Sequence, residues 1–336
     1  MQSNQSSDPP VEGHELGTAS RRTKRPATPF RLMLLFNAGL ALSFCYGLLA
    51  TGIVRYFSGT TEAQNFFAAY TINFKTIISL GLILGTALIV RRTQHVIPET
   101  IEVAFKGQLS EDYFYYQRRF YNPRVTLTFC GEFFLWGFLL FWQCQFPLPP
   151  LGQDLMLFAV CAEFWLAAYV GRKLMYSGMM LHSLLTIDVK RNLFRKRELD
   201  PINPYVHVAS TLTVIFVYVH VRNYYSGQFW YGGIFGQSIK LFILVPAIIA
   251  MPVLSIFNFY PRAVLRKLYS KSIDIEIKNL KKAMRNSSLS VYEKRSYLLE
   301  VDKMSRDEVR YNLQLTLSDL PIGITILIMV LEPLLK

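Results

Sequence analysis

Hydrophobic residues in this chain gather into long runs separated by short polar connectors rich in arginine and lysine. The first run, Leu32–Val54, is bracketed by Arg31 and Arg55; the second, Phe66–Val90, ends at Arg91 and Arg92. Further runs follow at Val125–Trp142, Leu155–Val170, Val206–Val221 and Ile239–Tyr260. A helix needs about 20 mostly apolar residues to cross a hydrocarbon core of roughly 30 Å. The pattern therefore predicts an all-α, polytopic membrane bundle of six spans over residues 29–260. Pro246 and Pro252 fall inside the sixth run and predict a bent helix, which a bundle tolerates.

Beyond the sixth run the periodicity changes. Pro261 suits the first turn of a new helix, and Leu265, Tyr269, Ile273, Ile277, Leu280 and Met284 then recur every three or four positions. That is one apolar stripe on a basic helix. Asn286, Ser287 and Ser288 interrupt it. Ser290 and Glu293 have the spacing of a capping box, in which the two side chains satisfy free backbone amides at a helix start. A second helix is predicted from Val291 to about Asn312, so residues 261–316 read as a cytoplasmic helical hairpin. Its expected role is to cap the bundle, pair protomers or dock another protein. The end of the chain, Leu320–Leu335, makes about 24 Å of helix and carries Pro321, Glu332 and Pro333. Residues 317–336 are expected to form a hydrophobic C-terminal helix that enters lipid without fully crossing, a seventh span being the alternative.

Residues 1–28 are polar and rich in serine and proline, the composition of a disordered tail. They hold no apolar core of the kind a cleaved signal peptide needs, so the first run is expected to persist in the mature protein. Inner connectors contain amphipathic pieces, IPETIEVAF, SEDYFYYQRRF and LMYSGMMLHSLL, expected as helices lying at the membrane interface. The aromatic outer loop Asn223–Ser238 suits the same interface from the other side.

Charge sets the orientation. The net charge of +13 would suggest nucleic acid if it formed a patch. With the N-terminus inside, however, the inner connectors carry 31 of the 36 lysines and arginines and the outer ones 3. This is the positive-inside bias, and it predicts a multi-pass cell-membrane protein with a cytoplasmic N-terminus and no nucleic-acid partner. A composition of 51% hydrophobic and 18% charged residues agrees with the bilayer as the main partner.

Three ionisable residues fall inside the runs: Lys75, Glu132 and Glu163. Counted along their helices, all three sit roughly 14 Å below the outer ends. An unpaired charge at that depth costs about 2.5–3.5 kcal/mol or more, so inward pairing is expected. As a functional site the trio would be a proton or ion relay, since low dielectric raises a carboxyl's pKa toward neutrality. As structure it would be an interhelical salt bridge, or a lysine that snorkels outward beside the carboxylates.

Candidate chemistry is otherwise sparse. Cys45, Cys130, Cys144 and Cys161 lack the spacing of a disulfide framework or a zinc site. A haem clamp from His207 with His95 or His182 has no supporting pattern. No phosphate loop, HExxH helix or nucleophile elbow is present. No catalytic residue, metal or cofactor is therefore expected. The function predicted is a non-enzymatic membrane scaffold or signalling component acting through the basic hairpin, with a homo-oligomer or cytoplasmic protein as partner. A small proton- or ion-coupled transporter or channel is the alternative.

Overall fold

The computed structural model describes residues 29–73, 76–105, 109–141, 148–186, 202, 239–285, 290–309, 324 and 327. Lys75, the fifth run Val206–Val221, the loop Asn223–Ser238, His207, His220, Cys144, the tail 1–28 and nearly all of the C-terminal segment lie outside the described residues.

Among the described residues the chain is all-helical, without strands. Its helices are α1 (Pro29–Ser58), α2 (Thr60–Ala68), α3 (Thr76–Thr93), α4 (Val96–Ala104), α5 (Glu111–Tyr121), α6 (Pro123–Phe141), α7 (Pro150–Ser183) and α8 (Ile239–Met284). A further helix, α9, covers 291–309. Among the described residues three helical stretches are long and apolar enough to cross a membrane: Phe30–Ser58, Thr76–Val103 and Pro150–Ser183. The third apolar run forms α6, and the sixth forms the first half of α8.

The tightest packing joins α1 to α3. Small residues Gly39, Ser43, Gly47 and Ala50 recur on one face of α1, while Gly81 and Gly85 lie one turn apart on α3. A Cβ at Gly39 would sit 2.2 Å from the Gly85 backbone nitrogen, so only glycine permits this crossing. Phe36 meets Gly85, Leu40 meets Gly81, and Ser43 meets Ile77, which makes the two helices antiparallel. Likewise Thr126 meets Arg172 and Gly137 meets Phe164, so α6 runs antiparallel to α7. The α3 and α7 pairs, Thr76 with Met156 and Ser79 with Glu163, advance together, so those helices run parallel.

The second run is not one α-helix. After α2 the backbone widens into a π-helical turn, Ala69–Asn73, before α3 begins at Thr76. Widened turns of this kind concentrate at functional sites. Here the turn carries Tyr70, whose ring stacks on Phe66 at 6.1 Å and occupies the space left by Gly47.

Two expectations about the polar connectors change. Ile97 and Ile101 of α4 and Tyr113 and Phe120 of α5 are wholly buried in the main hydrophobic core, and α5 packs against α7. They are packed elements as well as surface helices. No new helix starts at Pro261, because α8 is continuous from Ile239 through Pro246, Pro252 and Pro261 to Met284. A proline removes one helix bond; contacts of Val264, Leu265 and Leu268 with the core around Met180 and Leu184 hold the helix line across it. Of the predicted stripe, Leu265, Tyr269 and Ile273 are buried, and Ile277, Leu280 and Met284 are half-buried.

The capping box forms at the start of α9. The Ser290 backbone N–H donates to Glu293 Oε2 at 2.8 Å, and the Glu293 N–H donates to Ser290 Oγ at 3.2 Å. The bonds from the Ser290 side chain and backbone hold the Glu293 carboxyl below its ordinary pKa.

Candidate functional site

Several buried polar groups pair with one another across the interfaces of α1, α3 and α7. Glu163, on α7, is 1% exposed and accepts a hydrogen bond from Ser79 Oγ at 2.8 Å. The same hydroxyl also reaches the Thr76 carbonyl at 3.2 Å. Serine has one proton to give, so the shorter bond to the carboxylate is the stronger of two competing geometries.

Two residues before Ser79 on α3, a second set of bonds reaches α1. The Ser43 hydroxyl donates to the Ile77 carbonyl at 2.8 Å, and the Tyr70 hydroxyl donates to the Ser43 carbonyl at 2.9 Å. The two hydroxyl oxygens are themselves 2.8 Å apart. Two protons thus serve three contacts, and every buried oxygen has a partner in either arrangement. Tyr46 donates to the Leu155 carbonyl at 2.6 Å, tying α1 to α7 on the far side. Thr76 completes the set with a weak bond to Met156 Sδ at 3.5 Å.

Glu132 has different surroundings. It lies on α6 and is exposed, beside exposed Phe133 and Leu135, whereas Glu163 faces the α3 interface. Lys75 lies outside the described residues, so the structure bears on two of the three candidates.

A second polar cluster was not legible from the run pattern. Arg172 and Lys173 follow the fourth apolar run directly and served in the sequence only as markers of orientation. In the structure they are 1% and 5% exposed. The Arg172 guanidinium donates to Thr126 Oγ1 and to the Arg119 carbonyl, and Lys173 Nζ donates to the Phe120 carbonyl at 2.5 Å. Those carbonyls belong to the last turn of α5, where the helix leaves acceptors unpaired and its dipole favours cations. Aromatic faces complete the surroundings: Lys173 lies 4.2 Å from the Phe120 ring centroid and Arg172 lies 5.1 Å from that of Tyr176. Two adjacent cations are therefore held by carbonyls and rings. The signal that could have found them is their position: basic residues just past an apolar run, in a helix that does not stop, flanked by Tyr169 and Tyr176.

Nearer the connectors, Tyr113 donates to the Pro98 carbonyl at 3.4 Å, and Gln117 bonds Glu102. Burial, with Glu102 nearby, pushes the Tyr113 hydroxyl above its ordinary pKa, so it stays protonated. His182, one of the histidines considered for haem, bonds Tyr260 through Nδ1 and stacks on its ring at 5.7 Å. Among the described residues no group of three His, Cys, Asp or Glu side chains is placed to hold a metal.

The fold and these clusters define an all-helical protein with apolar helices fit for a membrane. No family model, curated protein or solved structure matches the chain.

Proposed function

We propose that this chain is a multi-pass membrane protein that works without catalysis, as a membrane-embedded scaffold. The cytoplasmic part of α8 beyond Pro261, together with α9, offers a docking surface to a protein partner or to a second copy. The observation that carries the reading is the surface of α9. Val291 is 86% exposed, Tyr292 83% and Leu299 63%, on a helix whose start is built with a complete capping box. Ordered helices rarely leave so much apolar area uncovered unless something binds it.

The Glu163 network supports the same reading from the other direction. A transport site needs water or substrate to reach its ionisable group, whereas Glu163 is enclosed and bonded to Ser79. The inside-positive charge pattern supports a cytoplasmic N-terminus and the cell membrane as location.

The transporter reading retains one specific observation. The π-helical turn Ala69–Asn73 carries Tyr70 and with it the buried Tyr70–Ser43 pair; in this reading a relay would run through Lys75, Glu132 and Glu163. One experiment separates the two. Purified chain in sealed vesicles is given an imposed proton or sodium gradient, and its oligomeric state is measured before and after removal of residues 286–312. The scaffold reading expects no flux above empty vesicles, and a loss of self-association or of partner binding in the shortened chain. Flux that disappears in Glu163→Gln would establish the relay instead.

A further inference from the structure

Helix α5 is locked in rotation from both ends. Ser110 caps its start, its Oγ accepting the Tyr113 N–H at 3.3 Å, and Arg172 and Lys173 cap its last carbonyls. Tyr113 and Phe120 are buried as anchors. What the lock leaves outward is a face of mixed aromatic and cationic character: Phe114, Tyr115, Arg118 and Arg119 are all exposed. Arg119 lies 4.8 Å from the Tyr115 ring centroid and also hydrogen-bonds the Tyr176 side chain.

The next residues join this face to α6. Asn122 Oδ1 accepts the backbone N–H groups of Arg124 at 3.0 Å and Val125 at 3.3 Å, and the apolar helix begins at Pro123, four residues after Arg119. Arg124 is exposed in the first turn of α6, and exposed Leu127 follows on the same helix. Among the described residues none of the three arginines is paired with a carboxylate. The acids of α5, Glu111 and Asp112, lie at the opposite end of the helix, and Glu102 is engaged by Gln117.

We infer that Arg118, Arg119 and Arg124, with the rings of Phe114 and Tyr115, form a binding surface for the phosphate headgroups of anionic phospholipids. Guanidinium groups match phosphate oxygens in geometry and charge. Aromatic side chains settle at headgroup depth, and the surface runs without a break into the apolar exterior of α6. That continuity selects a lipid over a soluble phosphate. The inference rests on α6 entering the bilayer and is independent of the scaffold reading, so either can fail alone.

The test is lipid binding to the delipidated full chain in detergent, read by native mass spectrometry during titration with phosphatidylglycerol or phosphatidylcholine. The unaltered chain should bind phosphatidylglycerol more tightly. Replacing all three (Arg118→Gln, Arg119→Gln, Arg124→Gln) should weaken that binding by at least ten-fold and leave phosphatidylcholine unaffected, since each basic side chain near an anionic surface contributes about five-fold. Millimolar inorganic phosphate should not displace the lipid. A control set on α8, Lys278→Gln with Lys281→Gln and Lys282→Gln, should bind as the unaltered chain does. Should the triple variant not fold, Arg118→Gln and Arg124→Gln singly, neither of which removes a side-chain contact within the protein, are each expected about five-fold weaker. Undiminished phosphatidylglycerol binding in the arginine variants, an equal loss in the α8 control, or displacement by free phosphate would each overturn the assignment.

Discussion

Replacing Gly39 by alanine adds one methyl group at the tightest helix crossing. Its Cβ would lie 2.2 Å from the Gly85 nitrogen, 2.5 Å from the Gly85 Cα and 2.8 Å from the Gly81 carbonyl oxygen, where ordinary contact begins at 3.4 Å. The obstacles are backbone atoms, so no rotamer change relieves them, and α1 and α3 must separate by about 1 Å. Overpacking of this kind costs about 1–3 kcal/mol. Separation also lengthens the Ser43–Ile77 and Tyr70–Ser43 bonds, each worth about 1 kcal/mol when lost. Against this stands alanine's better helix propensity, worth about 1 kcal/mol. With both bonds lost, the expected net loss is about 2–4 kcal/mol. Gly52, on the same helix, has nothing within 4 Å of its would-be Cβ. Gly52→Ala should therefore be neutral or stabilising by up to about 1 kcal/mol. Both variants are compared by reversible unfolding in mixed detergent followed by circular dichroism. Equal stability of the two would refute the argument, because it would mean that α1 and α3 do not touch at Gly39.

Other expectations follow from the polar contacts. Ser79→Ala removes a donor from the buried Glu163 carboxylate and should lower stability by about 1–3 kcal/mol, whereas Glu163→Gln, which keeps an acceptor, should cost less; chemical unfolding of both variants checks the order. Lys173→Met leaves the Phe120 carbonyl without its cation and should fray the end of α5, seen as faster amide exchange around residues 119–124 with α1 unaffected. The Glu293 carboxyl has a folded pKa below its unfolded value of about 4.3. Its contribution to the α9 start is thus present above that value and is lost as pH falls through the folded pKa. Protection of the Glu293 amide, corrected for intrinsic exchange, should be unchanged from pH 8 to 6 and should drop below pH 4. Glu293→Gln should flatten that profile.

The parts of this structure that were legible in the sequence are those set by local chemistry. Ser290 and Glu293 sit three residues apart and satisfy each other's amides wherever the rest of the chain goes, so the start of α9 could be read directly. The runs that became α1 and α6 were legible for a similar reason, since an unbroken apolar stretch leaves its backbone few alternatives to helix. Pro261 misled because proline's preference for a first turn is weaker than the packing of Val264, Leu265 and Leu268 that carries α8 past it. The π-helical turn was hidden because it depends on Tyr70 finding the gap at Gly47, a contact between residues far apart in the chain. Counting residues gave Glu132 and Glu163 a common depth. Depth along a helix says nothing about rotation around it, and rotation is what separates an exposed Glu132 from a buried Glu163. Arg172 and Lys173 illustrate the same limit, since burial by α5 turned two orientation markers into structural caps.

The proposal that the Glu163 network is a closed joint between helices is tested most directly by water access. A cysteine at position 79 or 163, in a chain whose native cysteines are replaced by serine or alanine, is exposed in sealed vesicles to small charged thiol reagents from each side in turn. Resistance from both sides, with ready labelling of a cysteine at exposed Gln64, is the predicted result. Rapid labelling of either buried position from the aqueous phase would contradict it and reopen Glu163 as a conducting site.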